Sequence, residues 1–87
     1  MKIKAGQRGY ALPKNFYTLF RSPAIEVDGV AFYLQELPLS SLRLQPKLDS
    51  CPLYFAIDQA ENKLWLSPRP DHDYKLVLFY FPKPKKA

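Results

Sequence analysis

Apolar and polar residues alternate with a two-residue period over much of this chain, the spacing of strands that bury one face. Ile25 and Val27, then Val30, Phe32 and Leu34, fall on single faces on either side of Asp28-Gly29. Asp-Gly between two β-rich runs predicts a type I′ hairpin, because both central residues take positive φ at little cost. Leu53, Phe55 and Ile57 alternate with Tyr54 and Ala56, and Leu64 and Leu66 share a face after the polar stretch Asp58–Asn62. Tyr74–Phe81 is apolar on both faces, with Leu76, Leu78 and Tyr80 opposite Val77, Phe79 and Phe81. That pattern predicts a central strand covered on both sides. An earlier run, Phe16–Phe20, is also rich in strand formers and is predicted to end at Ser22-Pro23. Ser67–Asp73, with Pro68 and Pro70, reads as a turn-rich connector.

The expected fold is therefore mainly β: a small antiparallel sandwich or barrel-like meander of five to six strands. These lie near 16–20, 25–27, 30–34, 53–57, 63–66 and 74–81. Leu37–Leu48 breaks the period, and Pro38 suits the first turn of one short helix, with an irregular loop as the alternative. The predicted core is Phe16, Val27, Phe32, Leu53, Phe55, Ile57, Leu64, Leu66, Leu76 and Leu78.

Eighty-seven residues with nine prolines allow one domain and no long helix. The single cysteine, Cys51, permits no intrachain disulfide, which sets aside the disulfide-rich secreted scaffolds and points to a reducing compartment. Met1–Ala11 lacks the apolar core of a signal peptide, and no run approaches a membrane span, so a soluble protein with no membrane partner is expected.

The net charge of +5 is unevenly placed. Residues 1–21 hold Lys2, Lys4, Arg8, Lys14 and Arg21 with no acid, and the C-terminus adds Lys83, Lys85 and Lys86, whereas the middle is acidic. This divides the chain into a basic extended arm (1–12), with Ile3 a candidate for one short added strand, one β domain (13–82) and a basic C-terminal tail (83–87). Arms of this kind gain order on a partner. Lys2, Ile3, Lys4, Arg8 and Tyr10 are the expected contacts with a neighbouring subunit.

Catalytic and metal chemistry find little support. His72 is the sole histidine and sits between Asp71 and Asp73, where a solvated turn is the simpler reading than a metal site. Asp73 is expected to cap the turn after Pro70. Cys51 has only His72 as a candidate base and reads as a half-buried structural thiol. The three glycines, Gly6, Gly9 and Gly29, form no phosphate loop. A non-enzymatic protein without cofactor is expected.

Six tyrosines, six phenylalanines and one tryptophan exceed what a core of this size holds, so some are expected at an interface. Tyr33, Tyr54, Trp65 and Phe79 are the candidates. Stacking of nucleic acid bases on such rings is the competing use. The acidic middle disfavours it, because phosphates reward a positive face.

Several segments together resemble the β module of bacteriophage head-to-tail adaptor proteins. They are Cys51-Pro52-Leu53-Tyr54-Phe55-Ala56-Ile57-Asp58, Lys63-Leu64-Trp65-Leu66-Ser67-Pro68-Arg69-Pro70-Asp71, and Asp73-Tyr74-Lys75-Leu76-Val77-Leu78-Phe79-Tyr80-Phe81. Leu12-Pro13-Lys14-Asn15-Phe16 is similar to that module's opening, with Asn15 in place of an aspartate, and Asp28-Gly29 falls at its first hairpin. The likeness spans roughly residues 11–84. Such adaptors surround the module with long helices, and this sequence departs from them in having none. The resemblance implies a virion structural protein, assembled in the bacterial cytoplasm, whose partners are portal, tail or capsid subunits and further copies of itself. Connector, tail, baseplate, collar and capsid-decorating roles all fit. A small nucleic-acid-binding β module is the alternative.

Overall fold

The structure is a computed structural model, and it describes residues 1–45 and 48–84. Pro46 and Lys47, and residues 85–87 of the expected C-terminal tail, lie outside the described residues.

The chain is mainly β, with ten strands and one short helix among the described residues. In order these are β1 (Lys2–Ile3), β2 (Gly9–Ala11), β3 (Phe16–Val27), β4 (Val30–Tyr33), β5 (Gln35–Glu36), α1 (Leu39–Arg43), β6 (Asp49–Ser50), β7 (Tyr54–Asp58), β8 (Lys63–Ser67), β9 (Arg69–Pro70) and β10 (Tyr74–Pro82). Two four-stranded sheets face each other, one ordered β1-β10-β3-β4 and the other β2-β8-β7-β5. A two-stranded pair, β6-β9, lies beside them. The expected strands are present, and the additional ones are two or three residues long. Two of the short pairings, β5 with β7 and β6 with β9, are parallel.

Side chains from both sheets meet between them. Ile3, Ile25 and Leu76 come from the first sheet, and Tyr10, Phe55, Leu64 and Leu66 from the second. Helix α1 packs on β7 and β8. Its buried Leu42 lies on the side of the second sheet away from this core, where Ala56 is also buried. Pro38 stands at the N-cap of that helix. The β3–β4 hairpin turns at Asp28 (φ 50°) and Gly29 (φ 79°), the positive pair that a type I′ turn requires.

The sequence reading misjudged β3. Ser22-Pro23 does not end the strand, which runs unbroken from Phe16 to Val27. Its register against β10 slips three times, between Val77 and Phe79, Phe79 and Tyr80, and Phe81 and Pro82. Each slip places an extra residue on β3, as in a β-bulge. The first absorbs Ser22-Pro23, so a residue without an N–H is tolerated inside a central strand.

Residues 1–12 are not a free arm. β1 pairs antiparallel with β10, β2 pairs with β8, and Ile3, Tyr10 and Leu12 are core residues. The short strand at Ile3 is present as β1, but the basic charge of this segment disguised β2 and the burial of both edge strands, because only alternate positions need be apolar in a strand with one covered face. Lys2 and Lys4 point to solvent while Ile3 between them is wholly buried.

Two predicted core residues are exposed. Phe32 lies on the core-facing side of its strand, but β4 is the edge of its sheet, and the ring is 54% exposed. Leu53 immediately precedes β7 and is likewise exposed. Val27, Ile57 and Leu78 are partly buried against the core, and the other predicted members are buried.

Candidate interaction surface

β10 is central in its sheet, but only one of its faces is covered, contrary to the pattern-based expectation. Leu76, Leu78 and Tyr80 turn inward. Phe79 lies on the opposite side, opposite Arg21 of β3, and Phe81 pairs with Thr18. The second bulge places Phe20 beside Arg21 on this outer face, where regular alternation would have turned it inward. Its ring lies 4.9 Å from that of Phe81 and 6.1 Å from that of Phe79. Tyr33 of β4 closes the group, 6.3 Å from Phe79.

One cation sits among these rings. The Arg21 guanidinium carbon is 5.4 Å from the Phe79 centroid, and its Nη1 donates to the Tyr33 hydroxyl at 3.4 Å. Phe20, Tyr33 and Phe81 are each more than half exposed. Towards β1 the same face becomes polar, with Lys75 opposite both Lys2 and Glu26 and its Nζ 3.8 Å from the Glu26 carboxylate. The surface is therefore an apolar, aromatic area bounded by charge, the layout of a contact site on a protein.

Of the expected interface aromatics, Tyr33 and Phe79 come together here, whereas Tyr54 and Trp65 do not. Both belong to the second sheet, in β7 and β8, and are half-buried. Trp65 is structural. Gly9 of β2 faces it, and a Cβ at Gly9 would lie 2.8 Å from Cζ3 of the indole. Phe20, Phe81 and Arg21 were missed. The apolar pattern of residues 74–81 on both faces was a signal for Phe81, since such a strand needs a cover that this fold does not supply, whereas nothing local marked Phe20 or Arg21.

The expected arm contacts also separate. Ile3 and Tyr10 are spent on the core, where the Tyr10 hydroxyl accepts from the Lys4 N–H at 3.0 Å and donates to the Gln7 carbonyl at 2.7 Å. Burial pushes the Tyr10 phenol pKa up. Arg8 is half-buried, and Lys2 and Lys4 are exposed.

The polar connector forms its own cluster. The Tyr74 hydroxyl donates to Asp71 at 2.6 Å, and His72 Nδ1 lies 3.2 Å from the same carboxylate, its side chain 77% exposed. Asp73 does not cap its own turn. It accepts the Ala5 N–H at 2.9 Å and so ties the β1–β2 connection to β10. Arg69 holds Asp49 through two contacts, of 2.6 and 3.0 Å. Among the described residues no three metal-ligating side chains converge.

An open groove of about 540 Å³ lies at the end of the sandwich between Leu12, Phe16, Tyr17, Ile57 and Lys83. Its polar groups are the Tyr17 and Thr18 hydroxyls, the Gln59 and Asn62 amides and the Lys83 amine.

The chain matches no protein-family model and no curated protein in sequence.

Proposed function

We propose that this protein is a non-enzymatic bacteriophage virion subunit that works by assembling with other structural proteins through the outer aromatic face of β3, β4 and β10. The observation that carries the reading is the outer-face group Phe20, Tyr33, Phe79 and Phe81 around Arg21, in which Phe79 is half-buried and the other three rings are each more than half exposed. A protein surface rarely leaves so many adjoining rings to water unless a partner covers them. The virion setting rests on the resemblance of residues 11–84 to the β module of head-to-tail adaptors. Portal, tail or capsid subunits are the partners that follow from it.

Mass spectrometry of purified particles tests the setting. This chain is expected in them at a fixed stoichiometry, and its absence from purified particles would remove the proposal. Nucleic-acid binding is the competing outcome. Phosphate contacts weaken steeply with salt, whereas burial of aromatic surface does not. Retention of the chain on its particle in high salt, with no binding to single-stranded DNA, is the result expected.

A further inference from the structure

The second surface without a partner is an edge. β4 ends the first sheet, and Val30, Ala31, Phe32 and Tyr33 are all exposed. Nothing in this strand is charged, and it has neither proline nor bulge, the devices that usually keep an edge from pairing.

The direction of its hydrogen bonds is fixed by the hairpin. Leu34 donates its N–H to the Pro23 carbonyl at 2.8 Å. In an antiparallel ladder every second residue points at its neighbour, so Val30, Phe32 and Leu34 face β3. Ala31 and Tyr33 therefore turn their N–H and C=O groups outward. Only an extended chain offers donors and acceptors at that repeat.

We infer that β4 pairs antiparallel with β4 of a second copy about a twofold axis through Phe32. Ala31 and Tyr33 lie symmetrically about that axis. Each would exchange both backbone bonds with the other residue of the second copy, so that all four outward groups of each strand are satisfied. Phe32 then stands opposite Phe32 of the second copy in a non-hydrogen-bonded pair, where side chains approach most closely. This accounts for a large aromatic on the core-facing side of a strand that its own core does not cover.

Two further features favour a second copy over a foreign strand. No charge on β4 opposes its own image across the axis. Tyr33 belongs both to this edge and to the aromatic face, so pairing would join two such faces into one continuous surface. The inference concerns the isolated chain and does not depend on the virion setting. A four-residue edge covers much less than the ~800 Å² per partner of a stable interface, so the pairing is expected to be weak and concentration-dependent.

Amide exchange of the intact protein across a concentration series tests this directly. Ala31 and Tyr33 amides should become protected as concentration rises, while Phe32, already bonded to β3, stays unchanged. Ala31→Lys should abolish the concentration dependence without altering the fold. Cross-linking gives a second arm, with Cys51→Ser as background. Phe32→Cys should oxidise to a dimer, because opposed residues in such a pair have Cα atoms about 4.5 Å apart, within disulfide reach. Val30→Cys should not, since its copies would lie roughly 13 Å apart at ~3.3 Å per residue. Unchanged exchange at Ala31 and Tyr33 would overturn the inference. So would equal cross-linking of the two cysteine variants, or protection that arises only with an added foreign peptide.

Discussion

The guanidinium of Arg21 lies over the ring of Phe79, 5.4 Å from its centroid, across the central pair of strands in the first sheet. An exposed contact of this type contributes only about 0.5–1 kcal/mol, so its place in the surface matters more than its effect on the fold. The same holds for Phe20 and Phe81, whose rings meet at 4.9 Å while each stays more than half exposed. Replacing both, as Phe20→Ser with Phe81→Ser, is expected to change stability by no more than ~1 kcal/mol, the range of surface substitutions. Leu76→Ala, at a wholly buried position of the same strand, should cost about 2–5 kcal/mol. Thermal melts compare the two, and under the proposed virion role particle incorporation should fail for the double serine variant although it is folded. Normal incorporation of that variant would move the contact surface elsewhere.

Residues 1–10 hold β1 and the greater part of β2, so their removal takes Ile3 and Tyr10 from the core and strips β10 and β8 of one neighbour each, turning both into edge strands. Deletion is expected to abolish cooperative folding, not to yield a folded domain lacking an arm. Ile3→Ala alone should cost about 2–5 kcal/mol, given its complete burial. Urea denaturation followed by circular dichroism reads both. A truncated chain with an unchanged midpoint would mean that the two short strands contribute nothing.

What the sequence reading captured was periodic. The Asp28-Gly29 hairpin and the strands around Phe55, Leu64 and Leu76 rest on alternation and turn chemistry, which are local. It failed where the deciding contact was distant. Nothing near Ile3 indicates that β10 will pair with it, and two lysines beside one isoleucine look like a solvated tail. The bulges of β3 are equally invisible, because a register slip is a property of two strands. Phe20 reaches the aromatic face only through such a slip, which is why Tyr33 and Phe79 were anticipated there and Phe20 was not. Tyr54 and Trp65 lie apart from this face for a related reason: aromatic content does not tell which sheet a strand will join.

Gly9 and Trp65 offer a sharper test of packing in the second sheet. The backbone of β2 passes so close to the indole that a methyl group would sit 2.8 Å from Cζ3. Gly9→Ala should therefore destabilise the protein by about 1–3 kcal/mol, the usual cost of overpacking. It should also shift the emission of this single tryptophan. Trp65→Leu removes the clash, so the alanine substitution should cost much less in that background. Equal costs in the two backgrounds would show that the close approach is not what requires glycine.

The Asp71–Tyr74 contact should be visible as a function of pH. The Tyr74 hydroxyl donates to the Asp71 carboxylate at 2.6 Å, and this bond holds the phenol above its ordinary range while drawing the carboxyl below its own. Burial adds to the rise at Tyr74, and the neighbouring His72 adds to the fall at Asp71. The two signs set two limits. The Tyr74 contribution is complete below an unfolded phenol value of about 10 and disappears as pH rises through the higher folded value. The Asp71 contribution is complete above an unfolded carboxyl value of about 3.9 and disappears as pH falls through the lower folded value. The pair is exposed, so its effect on stability is small, and titration is the better readout. Asp71→Asn removes the charge that opposes phenolate formation while leaving a side chain of the same shape. Tyr74 should then ionise at distinctly lower pH than in the unaltered protein, as followed by its ring-carbon chemical shifts. If the two curves coincide, the hydrogen bond to Asp71 does not govern Tyr74, and the connector between β8 and β10 is held by Asp73 and Ala5 instead.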